Sequence, residues 1–384
     1  MYLKMQLFRN KRIIIFICGI FFTLFYCEFL IYYVVISQCD WLPVKGSKVD
    51  AGTLKALIIS DTHIMGHRKS FWIDKLRREW QMYQSFRAVV TLHKPEVVFV
   101  LGDLFDEGEF STNEEFTKFV KRFHETFPLP ENVPMYITVG NHDIGFHNNI
   151  KTGSAERFAE QLRSPSVQLL TIKDNNFVLI NSMALEGDSC RMCREARSKI
   201  NNVSAILKCS ADESCDMNNY DISINHSRPI LLQHFPLYRL SDAVCSEPDA
   251  PPLSEKYIPF RLKIDALSKE ATDDLISKLK PRAVFGGHTH YGCLLHHSYN
   301  YDNENVEFFE YSVPSFSMRN IFEPKFMLVT TTPDAYAANK CSLPRETTII
   351  ITTVILLLAT VWFTCRRRTF GRGLYQLRKY SIVK

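Results

Sequence analysis

Apolar positions fall into two long runs near the chain ends and a set of short, regularly spaced runs between them. The first long run covers residues 13–38 and the second covers 347–365, "TTIIITTVILLLATVWFTC". The first exceeds, and the second nearly equals, the roughly 20 residues needed to cross a bilayer. Between them, 54–60 (LKALIIS), 96–102 (EVVFVLG) and 134–140 (PMYITVG) are short and almost wholly apolar. That pattern predicts strands buried on both faces. The intervening segments 71–93 and 113–126 repeat apolar residues at helical spacing, with Phe116, Phe119, Val120 and Phe123 on one face. Strands separated by single helices predict βαβ units and an α/β fold containing parallel strands.

The rhythm continues further along. A short helix is expected near 155–163, and a strand pair at 167–172 and 177–183 joined by a turn at 173–176. Strands follow at 228–234 and 282–288, separated by a helix at 266–279, with closing strands at 306–312 and 326–331. Residues 186–228 are polar and rich in Cys, Asn and Ser, and predict a surface insertion. Residues 332–346, with Pro333 and Pro344, predict a connector into the second long run. There is no internal repeat and no low-complexity tract.

Charge and cysteine usage change this picture by adding a membrane. The chain has 384 residues, 46% hydrophobic and 23% charged, as expected of a folded core. Much of the net +5 charge sits at the ends. Lys4, Arg9, Lys11 and Arg12 precede the first run, and Arg366, Arg367 and Arg368 follow the second. Basic residues flanking apolar runs indicate membrane topology and not nucleic-acid binding. A cleaved signal has a shorter apolar region of about 7–15 residues and a small-residue cleavage site. An uncleaved anchor is therefore expected. The resulting organisation is a cytosolic N-terminus (1–12), a transmembrane helix (13–38), a lumenal domain (39–346, core 53–335), a second transmembrane helix (347–365) and a cytosolic tail (366–384). Glu28, inside the first run, implies a partner or a position near the membrane interface. Of 11 cysteines, Cys18, Cys27 and Cys365 lie in the spans, which leaves Cys39, Cys190, Cys193, Cys209, Cys215, Cys245, Cys293 and Cys341 between them. An even set in an oxidising compartment favours disulfides. A zinc site at Cys190, Cys193, Cys209 and Cys215 is the alternative. The sequons at Asn202 and Asn225 agree with lumenal exposure.

The candidate chemistry lies where strands end. These ends read Ser60-Asp61-Thr62-His63, Gly102-Asp103-Leu104-Phe105-Asp106, Gly140-Asn141-His142-Asp143, Gln233-His234 and Gly287-His288-Thr289-His290. In open α/β sheets, ligands bind at the carboxyl ends of strands. A mixture of carboxylate, imidazole and amide suits manganese, iron or zinc better than calcium. On an extended chain, Asp61 and His63 would point the same way and share one ion, as would His288 and His290. Asp103 offers two oxygens for a bridge. Asp106 reads equally as a support for a ligand or as a helix cap. His67, His147 and Asn148 could line a substrate pocket or be ordinary loop residues.

The order D-x-H, G-D-x-x-D, G-N-H-D, H and G-H-T-H, spread over residues 53–335, resembles that of the calcineurin-like metallophosphoesterases. The resemblance implies a four-layer α/β/β/α sandwich of two mixed sheets, here flanked by two transmembrane helices. It implies two divalent metals, one held by Asp61, His63, Asp103 and His290 and the other by Asp103, Asn141, His234 and His288. His142 would be the catalytic acid and Asp143 would orient it. His226, His296 and His297 compete with His234, whose block is short. Two flanking spans, with "ISDTHIMG" and "GDLFDEG", look like the membrane group that removes an ethanolamine-phosphate branch from glycosylphosphatidylinositol (GPI) anchors. That likeness implies manganese and a site in endoplasmic reticulum exit sites, the intermediate compartment or the cis-Golgi. GPI-anchored proteins would be substrates, with cargo receptors and membrane lipid as partners and no nucleic acid. The tail, ending Lys379-Tyr380-Ser381-Ile382-Val383-Lys384, lacks a dilysine arrangement. Other readings are a hydrolase of a different lipid, nucleotide or protein phosphoester, and an inactive binding or receptor domain on the same fold.

Overall fold

The computed structural model describes residues 2–46, 52–68, 71–147, 150–151, 153–186, 190–212, 214–217, 220, 224–301 and 304–366. Asn148 and the tail beyond Arg366 lie outside the described residues. The chain divides into a compact unit, Tyr33–Arg345, and a unit formed by its two terminal segments. From the terminal unit, α1 (Tyr2–Phe25) continues through a π-helical turn (Tyr26–Leu30) that contains Glu28 into α2 (Ile31–Ile36), whose residues from Tyr33 on belong to the larger unit. The last helix, α10, spans Glu346–Cys365. The stretches Lys11–Ile36 and Glu346–Cys365 are long and apolar enough to cross a membrane.

The larger unit contains two mixed sheets. The first has the order β11-β10-β1-β2-β3, built from β1 (Leu54–Ile59), β2 (Val97–Leu101), β3 (Met135–Thr138), β10 (Lys325–Thr331) and β11 (Tyr336–Ser342). Its first three strands run parallel, while β10 is antiparallel to β1 and β11 to β10. The second has the order β4-β5-β6-β7-β9-β8: β4 (Val167–Ile172), β5 (Asn175–Ile180), β6 (Ile230–Leu232), β7 (Ala283–Gly286), β8 (Cys293–Tyr301) and β9 (Glu304–Ser312). Between the sheets lies a core of Leu54, Ala56, Ile58, Val97, Phe99, Leu101, Phe177, Leu179, Ile230, Leu232, Phe285, Met327 and Val329. These residues repeat with period two, so the strands present alternate side chains inward. The other faces of the central strands are also buried. This is why their sequences are apolar throughout.

Helices α3 (Trp72–His93), α4 (Asn113–Thr126) and α6 (Ser154–Leu162) follow the first-sheet strands, with the one-turn α5 (Asn141–Ile144) after β3. The α7 (Arg191–Ala211) and α9 (Lys269–Leu279) helices pack together beside the second sheet, and α8 (Leu253–Lys256) is a single turn. The start of α4 is set by a capping box between Thr112 and Glu115.

Residues 186–228 contain a helix, α7, which buries Ala196, Ile200, Val203 and Leu207. Two expectations are corrected. Residues 336–342 form edge strand β11 and not a connector. The β4–β5 turn is two residues, Lys173 (φ 48°) and Asp174 (φ 58°), both left-handed as a tight hairpin requires.

All eight cysteines outside the terminal helices pair: Cys39–Cys341, Cys190–Cys193, Cys209–Cys215 and Cys245–Cys293. The four cysteines of the zinc reading form two bridges at opposite ends of α7, so they offer no four-thiolate site. The register pairs Ile58 with Met327 and Lys325 with Ser342. Hence the exit of β11 and the Cys39–Cys341 bridge share the sheet edge at which β1 ends.

Candidate active site

The expected residues converge from five strand ends. Asp61 and His63 follow β1, Asp103 and Asp106 follow β2, and Asn141, His142 and Asp143 form the first turn after β3. His234 follows β6, and His288 and His290 follow β7. The local backbone is not extended. Asp61 (φ 54°), His63 (φ 43°), Asp103 (φ 48°), His288 (φ 71°) and His290 (φ 63°) are all left-handed. The convergence of Asp61 with His63 therefore comes from tight turning, and not from the period of a strand. Each such residue costs on the order of 1–2 kcal/mol. The interlocked loops hold this strain: Asp61 N donates to Gly102 O, His63 N to Asp103 O at 3.0 Å, and Phe316 N to Ser60 O at 2.9 Å.

Glycine precedes three of the ligands, and at two of these positions backbones meet. A Cβ on Gly102 (φ +84°) would lie 2.7 Å from Gly140 N and 2.8 Å from His234 Nδ1. One on Gly140 would collide with Asp103 N.

Two groups of donor atoms result. In the first, His290 Nε2 lies 3.4 Å from Asp61 Oδ1, and His63 Nε2 lies 3.6 Å from Asp103 Oδ2 and 3.2 Å from His290 Nε2. In the second, His234 Nε2 lies 3.3 Å from Asp103 Oδ2 and 3.2 Å from Asn141 Oδ1. Ligand atoms of Asp61, His63, Asp103 and His290 all lie within 4.8 Å of one another, as do those of Asp103, His234 and His288. Asp103 belongs to both groups. The set fits a dinuclear divalent site, since each group has two or more imidazoles and a carboxylate oxygen converging on one point. His234 is oriented for this by Leu101 O, 2.7 Å from its Nδ1. Its competitors lie elsewhere: His297 Nε2 bonds Glu310 Oε2 at 2.8 Å, His296 packs at a tilt against Phe309, and His226 is exposed.

Charge in the cluster is strongly coupled. Burial alone would raise Asp61, but hydrogen bonds to His290 and His63 hold its carboxyl well below the usual range. Burial opposes ionisation of Asp103 as well, and the positive charge of His234, with its hydrogen bond, wins and keeps that carboxyl low. Conversely His63, despite burial, is raised to about 10 by Asp106, Asp61 and Asp103, and His234 to about 9 by Asp103. His288 is pushed down to about 3 by burial and by His234. Ligation by His63 and His234 requires those protons to leave.

Around the ligands stands a set of supports. Asp106 accepts from Arg319 and faces His63 Nδ1 at 3.5 Å, so it supports a ligand and does not cap a helix. Ser60 Oγ donates to Asp61 Oδ2 at 2.5 Å, and Ser315 Oγ to Asp61 O at 2.7 Å. Ser182 Oγ accepts from His234 N. Ser60, Ser182, Ser315 and Arg319 were not singled out from the sequence. Serines near strand ends are too common to be selected, and Arg319 lies in a turn outside any motif.

His142 lines the cleft. Its amide donates to Asp103 Oδ1 at 2.8 Å, and its Nδ1 faces Asp106 O at 3.2 Å. A carbonyl can only accept, so Nδ1 bears a proton and Nε2 is left for the cleft. The expected orientation of His142 by Asp143 is corrected. The Asp143 carboxylate instead accepts from Gly140 N (2.9 Å) and Phe105 N (3.0 Å), bracing two ligand loops. Burial and the neighbouring Asp103 raise it to about 7.

The cleft in front of the donors has a volume of about 470 Å³. Asp103, Asn141, His142, His288 and His290 form its floor, and Phe146, Ile258, Phe260 and Tyr291 are among its walls. His147 Nε2–H donates to Lys263 O at 2.8 Å, tying its loop to the segment that carries the wall residues Arg261 and Asp265, while His67 is exposed.

A model of the calcineurin-like phosphoesterase family matches residues 54–292. Among similar proteins, metallophosphoesterase 1 of Ailuropoda melanoleuca is 45% identical over 340 residues, covering 87% of this chain and 84% of that protein. Metallophosphoesterase 1 of Gallus gallus is 42% identical over 342 residues, with coverages of 87% and 84%. The metallophosphoesterase 1 homolog of Drosophila melanogaster is 41% identical over 351 residues, with coverages of 90% and 91%.

Proposed function

The chain belongs to the calcineurin-like phosphoesterases, a family of metal-dependent hydrolases, and from that premise we propose that it cleaves a phosphodiester at the lumenal face of a membrane. The substrate in this reading is the ethanolamine-phosphate branch on a mannose of GPI anchors, removed in the early secretory pathway before export of the anchored proteins. The observation that supports it is the shared sheet edge. The donor loops follow the end of β1, and Ser342 and the Cys39–Cys341 bridge lie at that same edge. Beyond Ser342 only residues 343–345 precede the apolar helix α10. A cleft at the tethered edge suits a phosphoester carried on a membrane-anchored molecule.

Asp61, His63, Asp103 and His290 would hold one cation, and Asp103, Asn141, His234 and His288 the other, with manganese proposed and iron or zinc compatible with the same donors. When bound, the two cations supply charge that neutralises the phosphoryl oxygens and lowers the pKa of the attacking water. The remaining work falls to the protein. Asp103, fixed by the His142 amide and His234, sets the spacing of the two groups. His142, as the imidazolium with Nδ1–H on the Asp106 carbonyl, would give the Nε2 proton to the leaving alkoxide and end as the neutral ring. The apolar walls limit water around the reacting phosphorus.

The test uses cells lacking this protein, rescued with the wild-type or the Asp103→Ala chain. Mass spectrometry of released GPI glycans reads the ethanolamine-phosphate on each mannose. The reading expects one branch to persist in the knockout and to disappear only with wild type. Identical glycans in all three would remove the GPI assignment and redirect the search to other lumenal phosphoesters.

A further inference from the structure

Large apolar side chains stand in solvent around the edge that carries the donors. Phe71 is 76% exposed, Trp72 66%, Leu76 61%, Leu253 76%, Tyr257 64% and Phe322 86%. They come from three unconnected segments. Phe71, Trp72 and Leu76 open α3, where the neighbouring Lys75 feels the charges of Arg122, Glu79 and Glu107. Glu107 follows the Asp106 support and accepts from Arg68 N. Leu253 and Tyr257 are interleaved in sequence with Pro251, Glu255, Ile258 and Phe260, which line the cleft. The stretch just before this wall is held to β11 through Lys340, which pairs with Glu247 and, at 2.7 Å, with Asp249. Phe322 lies in the loop before β10. There Leu343 N donates to Pro324 O at 2.9 Å and Arg345 pairs with Glu323 at 2.5 Å.

Scattered apolar residues on a surface need no explanation, but several large ones drawn from separate segments to one edge do. Something must cover them, and the chain itself supplies the candidate. Ser342 lies at this edge, and three residues later begins a 20-residue helix with a mean hydropathy of 2.2 in its most apolar window. Three extended residues reach only about 10–14 Å. The connection from this edge into the apolar helix is therefore short. The residue types also suit the membrane interface, where Trp, Tyr and Phe are favoured beside basic groups such as Lys75 and Arg345.

We propose that Phe71, Trp72, Leu76, Leu253, Tyr257 and Phe322 form a ring that dips into the bilayer interface, so that the cleft opens directly at the lipid headgroups. The proposal rests on the reading that α1 and α10 span a membrane. It is independent of which phosphoester is cleaved.

The test uses the full chain in phosphatidylcholine nanodiscs with doxyl-labelled lipid as quencher. With Cys18, Cys27 and Cys365 replaced by Ser, a single fluorophore is placed at Phe322→Cys, at Tyr257→Cys, or at Glu131→Cys before β3 on the opposite edge. A fourth sample retains Cys365 alone as the label site in α10. The expected result is strong quenching at 365, and quenching at 322 and 257 at least threefold above that at 131. Quenching at 365 with 322 and 257 no higher than 131 would overturn the ring and leave the spans intact. No quenching at 365 would remove the spanning reading and the ring together. A second readout uses Trp72→Ser/Phe322→Ser. The KM for a phosphodiester carried on nanodisc lipid should rise about fivefold or more, while hydrolysis of a soluble aryl phosphodiester stays at wild-type rate. An unchanged KM on the lipid-borne substrate counts against the ring.

Discussion

At the scale of single residues, the site separates holding metal from moving protons. His142 joins the cluster through its backbone, whose amide donates to Asp103 Oδ1 at 2.8 Å, while its ring lies against the Asp106 carbonyl. Removing the ring should leave the metal donors intact. His142→Ala is expected to keep full metal content by elemental analysis, yet lose roughly 10²–10⁴-fold in turnover on a diester with a poor leaving group. With a good aryl leaving group the loss should be much smaller, because little protonation is needed. Equal losses on both would remove the acid assignment. Asp106 acts one step further out, between Arg319 and His63 Nδ1 at 3.5 Å. Asp106→Asn should keep the fold and weaken metal binding by about 10–100-fold, the usual effect of losing a ligand's hydrogen-bond partner. Metal titration followed by calorimetry reads this directly. Unchanged affinity would mean that the ion pair with Arg319 serves only the loop.

At the scale of elements, the buried link between β9 and the segment after β6 can be tested apart from catalysis. Glu310 is buried on β9, accepts from Leu237 N at 2.7 Å and faces His297 Nε2 at 2.8 Å. Burial would raise its pKa, but His297 and Arg239 outweigh it and hold it below the usual glutamate range. A depressed folded pKa stabilises the protein above the unfolded value of about 4.3 and loses that contribution as pH falls through the lower folded value. Glu310→Gln should therefore lower the melting temperature at pH 7, with the deficit shrinking as the pH drops below about 4. A deficit that is the same at both pH values would show that shape, and not charge, matters there. The elements themselves differ in how plainly the sequence announced them. The strands β1, β2 and β3 were legible because burial on both faces makes them apolar throughout, and α4 because its aromatic stripe and cap agree. Edge strand β11, "YAANKCS", was not, since a half-buried edge needs few apolar residues and draws its stability from pairing with β10 and the Cys39–Cys341 bridge. The α7 helix was hidden differently. Ala196, Ile200, Val203 and Leu207 have helical spacing, but cysteines and asparagines made the segment look irregular. For the site, the ligand residues could be named from strand-end motifs, while their left-handed backbones and the serines that hold them depend on contacts between distant loops.

At the scale of the whole molecule, the substrate within reach depends on which side of a membrane the larger unit faces. Basic residues at the outer ends of both apolar stretches are the pattern expected of cytosolic ends. Four disulfides in the larger unit agree with an oxidising compartment on the other side. Asn202 and Asn225 are both exposed, one on α7 and one on the loop before β6. These independent features make one prediction. In sealed microsomes, an epitope at either terminus should be digested by added protease, while a fragment spanning residues 39–346 stays protected until detergent is added. Endoglycosidase should then shift that fragment, and Asn202→Gln/Asn225→Gln should abolish the shift. Digestion of the larger unit in intact vesicles would place the cleft in the cytosol. There the disulfides would not persist, and a lumenal GPI anchor would be out of reach. The family chemistry would survive that result, because the donors of both metal groups come from within the larger unit, but the substrate would have to be sought among cytosolic phosphoesters.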